Sequence, residues 1–332
     1  MKKITLYLTS FLLAVGLLIL YSSCQKVPNG FLTNYPYYDQ SPMFIGKGYA
    51  FTSSPLETIG STIPMRVKIL HVHDLENGAL MDSVFFKRYP LTIFTGYYDS
   101  KVDTTLAMID AITKTVDTFP INVNSANGSF QTNFNTYYMP AGSYTFDLQI
   151  TNPAGTKVYP KIAEFVLSDT LPYQSTALGA PYDLIMKVGD ESVGKFAAVP
   201  IVTVNRIADT PNMVILKVMD KNGNPFDPAK GEYLHRPQPG NPSEFRPVLQ
   251  DYGVANTITD TSINVQYPLV PFPIHTDPGG LGYNLYYRLP TQFVHFDEYP
   301  DNVWSANIKF NVRFFVPGEY TVNVQLPDVT RR

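Results

Sequence analysis

A segment of 21 residues occurs twice in this chain, and its alternating pattern constrains the fold more than any other feature. Residues 130–150 read FQTNFNTYYMPAGSYTFDLQI and residues 306–326 read ANIKFNVRFFVPGEYTVNVQL, at a constant offset of 176 residues. Apolar and polar residues alternate on both sides of a Pro-Gly or Pro-Ala-Gly turn, which places one set on a core and the other toward water. Each copy is therefore predicted to form a β-hairpin, with Tyr144 and Tyr320 at equivalent buried positions.

A second match occurs in the same order in both halves. ILHVHDLENG starts at Ile69 and ILKVMDKNG starts at Ile215, and each ends in an Asn-Gly turn. Short β-prone runs are separated by 28 prolines and 21 glycines, which is typical of an all-β protein. We predict two tandem, related immunoglobulin-like β-sandwich domains at residues 56–170 and 198–332, joined by a connection at 171–197. One helix is predicted within residues 104–115.

The N-terminus has the features of an export signal. Lys2 and Lys3 precede an uncharged apolar run at residues 4–21, and two serines follow. The run approaches the length of a spanning helix, so an uncleaved anchor is the alternative. The stretch LLILYSSCQKVPNG holds the only cysteine, Cys24, and resembles a bacterial lipobox.

That resemblance implies removal of residues 1–23 as a lipoprotein signal peptide and acylation of Cys24, followed by a tether at residues 24–55. Stable anchoring needs two or more acyl chains, which a diacylated and N-acylated (palmitate-type) cysteine supplies. We therefore expect a lipid-anchored protein of the outer membrane, on either its surface or its periplasmic face.

The charge and the cysteine content narrow the candidate partners. The chain has 25 Lys and Arg against 28 Asp and Glu, and residues 1–23 hold two lysines and no acid. The net charge after cleavage is 23 minus 28, or −5, which argues against nucleic acid as a partner. With a single cysteine the chain has no disulfide framework, so its stability must come from burial.

Two motifs suggest metal binding but have simpler interpretations. Asp220, Asn222 and Asn224 begin like a calcium loop, yet glycine stands fourth and no glutamate stands twelfth. An Asn-Gly hairpin turn explains the same residues. His71 and His73 share one face of a strand, but a third ligand would have to come from elsewhere. We predict no metal and no cofactor.

The densest aromatic and polar stretch is YNLYYRLPTQFVHFDEYPDNVW, residues 283–304. Alternation places Leu285 inward and the neighbouring even-numbered residues outward, while Trp304 has the parity of a core residue. Sugar rings stack on aromatic faces while polar side chains bind their hydroxyls, and a solvated loop is the alternative. The candidate ligand-binding residues are Tyr286, Arg288, Asp297, Glu298 and Tyr299.

Signatures of catalysis are missing from the sequence. It contains no nucleophile elbow, no phosphate-binding loop and no Cys/His pair. The adjacent acids Asp297 and Glu298 would point to opposite faces of a strand, which does not build an acid/base pair. We therefore predict that the protein is not an enzyme.

The lipobox, MPAGSYTFDLQITNPAGTKVYP and VILKVMDKNGNPFDPAKGEY together resemble a Bacteroidota lipoprotein family of unknown function, DUF5007. The resemblance covers most of the chain after Cys24 and rests on turns and strands, so it brings no catalytic residues. It implies a setting similar to that of the accessory lipoproteins of SusC/SusD systems, which serve glycan uptake.

Three functions follow from these observations. The first is a non-enzymatic outer-membrane lipoprotein that assists nutrient uptake by binding a glycan, or by binding a TonB-dependent transporter or its SusD-like partner. The second is a structural or adhesive protein of the cell envelope. The third is an exported hydrolase, which the missing motifs disfavour.

Overall fold

The computed structural model describes residues 30–175 and 179–332, and strands dominate them. Two separate clusters of buried apolar side chains form, one from residues 38–167 and one from residues 185–329. The predicted all-β class with β-sandwich architecture is confirmed. None of the helices in these residues is long and apolar enough to cross a bilayer.

The first half is built on a four-stranded sheet, a three-stranded sheet and a separate hairpin. Its strands are β1 (Met43–Gly46), β2 (Phe51–Thr52), β3 (Arg66–Asp74), β4 (Tyr89–Phe94), β5 (Thr113–Thr118), β6 (Ile121–Val123), β7 (Phe130–Thr132), β8 (Gly142–Asn152) and β9 (Gly155–Ser168). The sheet orders are β1-β9-β8-β3, β2-β7-β6 and β4-β5. There are two short helices: α1 (Asp82–Phe85) precedes β4, and α2 (Leu106–Ala111) lies in the connection between β4 and β5.

The core of the first half lies between the four-stranded and three-stranded sheets. Along β3 the buried residues are Val67, Ile69 and Val72, so their parity changes once within the strand. The change coincides with a register shift between Ile69 and His71 against β8. A bulge of this kind adds a residue to one strand and so moves the following side chains to the other face.

The second half is built on two larger sheets and two separate two-stranded pairs. Its strands are β10 (Tyr173–Ser175), β11 (Tyr182–Lys187), β12 (Asp190–Phe196), β13 (Ile201–Ala208), β14 (Met213–Met219), β15 (Leu234–His235), β16 (Pro237–Gln238), β17 (Asn241–Phe245), β18 (Ala255–Ile258), β19 (Ile263–Gln266), β20 (Asn284–Leu289), β21 (Val294–His295), β22 (Trp304–Phe314), β23 (Glu319–Gln325) and β24 (Thr330–Arg331). One sheet has the order β12-β11-β22-β20-β15, with β10 also paired to β22, and the other has the order β13-β23-β14-β19-β18.

The core of the second half lies between these two sheets. Strand β23 contributes Tyr320, Val322 and Val324 from one side, and β22 contributes Ile308 and Phe310 from the other. The alternation seen in the sequence therefore assigns the buried face of each strand correctly, because apolar positions of period two must lie on one side.

The predicted hairpins are wrong in both copies of the repeat. In the second copy, β22 and β23 belong to different sheets, so the Pro317-Gly318 turn carries the chain across the core. In the first copy, β7 pairs with β2 and β6 and not with β8, and a 3-10 helix at Phe134–Tyr138 takes the place of the rest of the predicted strand. The Asn133 side chain accepts the backbone N–H of Asn135 at 3.0 Å, which is a local bond that competes with strand pairing.

Two segments predicted to lie outside the domains contain strands. Residues 43–46, within the predicted tether, form β1 and pair in parallel with β9. Within the predicted connection, β11 is a central strand that pairs with both β12 and β22. These residues are therefore parts of the sheets. The predicted helix at 104–115 is shortened to Leu106–Ala111, capped by the side chain of Thr105, and its last residues belong to β5.

The two halves contact each other through aromatic side chains. The rings of Tyr49 and Phe315 lie 4.3 Å apart between centroids. The hydroxyl of Tyr98, beyond the end of β4, lies 3.2 Å from Nδ1 of His275 in the second half.

Candidate functional site

The structure divides the predicted ligand-binding residues between two surfaces of the second half. Asp297, Glu298 and Tyr299 line one cleft of about 210 Å³, which we call the acidic cleft. Its complete lining is Ile185, Phe196, Ala197, Phe296, Asp297, Glu298, Tyr299, Pro327 and Asp328. Tyr286 and Arg288 do not line it and lie instead on the outer face of β20.

Aromatic rings form part of the wall of the acidic cleft. Tyr299 is half-buried and packs against Trp304, with ring centroids 5.1 Å apart. Lys195 lies over the same tyrosine ring at 5.4 Å from its centroid. Phe196 follows at the end of β12 and is 74% exposed. An apolar ring this exposed offers a stacking surface, and it was missed because β12 was predicted to be part of the connection.

Carboxylates supply the polar part of the same cleft. Asp297 and Lys221 form an ion pair at 2.7 Å, and this hydrogen bond to Lys221 lowers the pKa of Asp297. Asp297 is therefore an anion at neutral pH, when its oxygens accept hydrogen bonds. Asp328 is exposed, and its Oδ2 accepts the backbone N–H of Ala198 at 2.6 Å.

A further carboxyl, Asp183, lies close to the acidic cleft but does not line it. It is 1% exposed, and its Oδ1 accepts the backbone N–H of Asn307 at 2.9 Å. Burial raises the pKa of Asp183 to about 7, and the nearby charge of Asp328 acts in the same direction. No sequence pattern singles out this residue, because its burial depends on strands far apart in the chain.

The prediction that Tyr286 faces solvent is wrong. Tyr286 and Arg288 share the outer face of β20, as the alternation indicated, but Tyr286 is only 4% exposed. The guanidinium of Arg246 lies 4.7 Å from the centroid of the Tyr286 ring. The backbone N–H of Tyr286 donates to the carbonyl of Pro247. Arg288 donates from Nε to Asn307 at 2.7 Å and pairs with Glu191 at 2.6 Å.

A larger cavity, of about 730 Å³, lies in the first half beside β3 and β6. Asn122, Asn124 and Gln131 give it amide groups, and Phe86 and Phe119 are aromatic residues of its lining. These two rings pack edge to face at 5.6 Å between centroids. The cavity contains no carboxylate, so it differs chemically from the acidic cleft.

The two metal-like motifs make hydrogen bonds within the fold. The buried carboxylate of Asp220 accepts the backbone N–H groups of Asn222, Asn224 and Arg331 at 2.8–3.1 Å. His71 lies 2.8 Å from Asp82, and His73 lies 3.1 Å from Asp147. Within residues 30–175 and 179–332, no three His, Cys, Asp or Glu side chains form a cluster that could hold a metal ion.

The predicted lipidation residue, Cys24, lies outside the described residues, as does the signal segment before it.

Comparisons with known proteins give little further information. No protein-family model matches the chain, so membership of the DUF5007 family remains a prediction. No curated protein matches it in sequence. A solved structure of a SusE-like surface-located polysaccharide-binding protein, from the Bacteroides thetaiotaomicron heparin utilisation locus, is similar with a TM-score of 0.25 and 8% identity. The match covers 87% of this chain and 53% of that one, so the chain spans about half its length.

Proposed function

We propose that this protein is a non-catalytic, lipid-anchored protein of the outer membrane that binds glycan as an accessory to nutrient uptake. The observation that carries the proposal is the acidic cleft, where the rings of Tyr299 and Phe196 border the carboxylates of Asp297, Glu298 and Asp328. The proposed anchor is Cys24, and the proposed partners are a TonB-dependent transporter and its SusD-like protein.

The chemistry of the cleft suits a sugar. A pyranose ring has an apolar face that stacks on an aromatic ring, and it has hydroxyl groups that donate to carboxylates. The cleft of about 210 Å³ is smaller than pockets for drug-sized ligands, which are about 300–1,000 Å³. It therefore suits a single unit of a longer chain, bound weakly because few contacts offset the cost of association.

The same geometry argues against glycoside hydrolysis. That reaction needs one carboxyl held protonated beside the bond to be cleaved. Asp183, whose pKa is raised by burial, is 1% exposed and does not line the cleft. Asp297 does line it, but Lys221 lowers the pKa of Asp297. A binding role therefore fits the cleft better than catalysis.

Affinity electrophoresis of the full chain in detergent, in native gels that contain neutral polysaccharides, tests the proposal. We expect Tyr299→Ala and Asp297→Asn each to weaken retardation by about tenfold, the equivalent of about 1.4 kcal/mol. Tyr35→Ala is the matched control, because Tyr35 is an exposed tyrosine of the first half. Replacement of Cys24 by Ala should abolish lipid labelling and release the chain from the membrane.

Two other outcomes would contradict parts of the proposal. If Asn122→Ala abolishes retardation and the cleft variants do not, the site is the larger cavity of the first half. If no polysaccharide retards the protein but a transporter subunit copurifies with it, the role is binding of protein rather than glycan.

A further inference from the structure

Guanidinium groups that each have one nitrogen without a hydrogen-bond partner are concentrated on one surface of the second half. Among the described residues, eight buried side-chain nitrogen or oxygen atoms lack a hydrogen-bond partner. Four of them are arginine nitrogens on or beside the outer face of β20 and β22, from Arg236, Arg246, Arg288 and Arg313. Native proteins leave few buried donors unpaired, so such a concentration indicates a site for an acceptor.

The most deeply buried of these groups is Arg236, which is 2% exposed. Its Nη1 donates to the hydroxyl of Tyr182 at 3.3 Å and its Nη2 contacts the sulfur of Met186 at 3.5 Å, while Nε has no partner. Within the described part of the chain, no carboxylate lies within 4.0 Å of it. A buried charge without a counter-charge destabilises a fold, so a binding role would explain its retention.

Arg246 and Arg288 lie near Arg236 and are more exposed than it is. Arg246 is placed opposite Arg236 at the base of the β16-β17 hairpin, where its N–H donates to the Arg236 carbonyl at 2.9 Å. Its guanidinium covers the Tyr286 ring, and Arg288 lies two residues further along β20 on the same face. Nε of Arg246 and Nη2 of Arg288 are unpaired.

We call Arg236, Arg246 and Arg288 the arginine cluster. The positive charge of this cluster is not balanced by the acids around it. Glu191 pairs with Arg288 at 2.6 Å and is the only carboxylate of the described residues in contact with the three guanidinium groups. Asp183 lies nearby, but burial raises its pKa to about 7, so it is only partly ionised at neutral pH. Burial lowers the pKa of Arg236, and the like charges of Arg246 and Arg288 act in the same direction.

We propose that Arg236, Arg246 and Arg288 bind the oxyanion of an acidic saccharide, either a carboxylate or a sulfate group. A guanidinium fork matches the paired oxygens of both groups. The choice of a saccharide rests on the proposed function, because the cluster and the acidic cleft are neighbours. The Tyr182 ring, whose hydroxyl binds Arg236, packs against the cleft residue Phe196 at 5.6 Å.

Affinity electrophoresis of the full chain in detergent distinguishes the two oxyanions. Gels contain polygalacturonate, which has carboxylates only, dextran sulfate, which has sulfates only, or neutral dextran. We expect retardation by at least one acidic polymer, and a loss of about tenfold or more in the double variant Arg246→Gln, Arg288→Gln. The matched control is Arg66→Gln, Lys114→Gln, which removes the same charge from exposed sites of the first half. Equal losses in both double variants would overturn the proposal.

Arg236→Met separates a binding role from a structural one. Because it removes a buried unpaired charge, we expect the melting temperature to stay the same or rise while retardation by the acidic polymer weakens. A lower melting temperature with unchanged retardation would show that Arg236 is structural and would overturn its role.

Two further arms separate this proposal from related explanations. Single-stranded DNA in the gel is compared with the acidic polymers. If it retards the protein as strongly as they do, and the same variants lose this retardation, the assignment to a saccharide is contradicted. Loss of neutral-polymer binding in Tyr299→Ala with acidic binding retained would leave the arginine cluster in place as a separate site. Loss of acidic-polymer binding in Tyr299→Ala with neutral binding retained would contradict a binding site at the arginine cluster and leave the acidic cleft as the site.

Discussion

Tyr144 and Tyr320 occupy matching positions in the two halves. Each lies just after the turn that leads into β8 or β23, and we call these two turns the corners. They are 1% and 0% exposed, and each follows a glycine by two residues at the start of a strand. The hydroxyl of each donates to the carbonyl four residues earlier, Pro140 at 3.1 Å and Val316 at 2.7 Å. The repeated sequence therefore produces the same local structure twice.

The strands around these corners differ. A 3-10 helix precedes Tyr144, whereas the eleven residues of β22 lead to Tyr320. Strand β8 runs antiparallel to β3, whereas β23 runs parallel to β14, the strand that corresponds to β3 in sequence. The comparison shows that a short motif fixes its own hydrogen bonds, while the partners of a strand are decided by the rest of the chain. Descent of the two halves from one duplicated domain stays a prediction.

The largest expected effect tests whether the two corners are equally important. Tyr320→Ala and Tyr144→Ala should each lower the free energy of unfolding by about 3–5 kcal/mol, because each leaves a cavity in its core. The Tyr→Phe variants should cost only about 1 kcal/mol, the value of one hydrogen bond. Fluorescence of Trp304, the only tryptophan, reports urea unfolding of the second half. Tyr144→Ala should therefore shift the circular dichroism transition and leave the fluorescence transition in place. An equal fluorescence shift would mean that the halves unfold as one unit.

The next effect concerns the buried acids of the two halves. Asp147 in the first half accepts the N–H of Lys161 at 2.7 Å and lies 3.1 Å from His73, whereas burial raises the pKa of Asp183 to about 7. Because this value exceeds the unfolded value of 3.8, the contribution of Asp183 is fully present below about pH 4 and is lost as the pH rises to 7.

The fluorescence-detected free energy of unfolding should therefore fall by on the order of 3 kcal/mol across this range. In Asp183→Asn the fall should disappear, while Asp147→Asn should not remove it. A fall that persists in Asp183→Asn would place the responsible group elsewhere.

The smallest effect distinguishes the glycines of the two corners. Both glycines have a positive φ, +147 at Gly318 and +159 at Gly142, but a Cβ at Gly318 would lie 2.5 Å from the carbonyl oxygen of Ala208. The atom nearest a Cβ at Gly142 is the Tyr144 hydroxyl, at 3.0 Å. We expect Gly318→Ala to cost about 2 kcal/mol and Gly142→Ala about 1 kcal/mol or less, measured by thermal unfolding. Equal costs would show that the two corners are the same in their surroundings as well as in sequence.

Much of the strand content and most of the buried faces could be predicted from alternation. Leu285, Tyr287, Val322 and Val324 point inward as predicted, because side chains of a strand alternate whatever the strand pairs with. The pairing itself could not be predicted, since β22 and β23 would show the same alternation in a hairpin and in opposite sheets. The 3-10 helix at Phe134–Tyr138 depends on side-chain bonds of Asn133 that override the strand pattern.

The candidate site was only partly predictable for a related reason. Parity placed Tyr286 on the outer face, but Arg246 and Pro247 cover it from a segment about 40 residues earlier. The acidic cleft also includes Phe196 and Asp328, which lie about 100 residues before and 30 residues after Asp297. Arg236 lies about 50 residues from both Tyr182 and Arg288, so no local pattern could bring these residues together.

The positions of β22 and β23 in their sheets impose an order on biosynthesis. Both are interior strands, each hydrogen-bonded on two sides, and they are formed by residues 304–325. The sheets of the first half are complete once residue 168 has been made, so they can fold while the remainder is still being translated or exported. The second half must wait, because without β22 and β23 its other strands keep open edges that invite aggregation. Premature termination before residue 304 would therefore yield a folded first half attached to an incomplete, aggregation-prone second half.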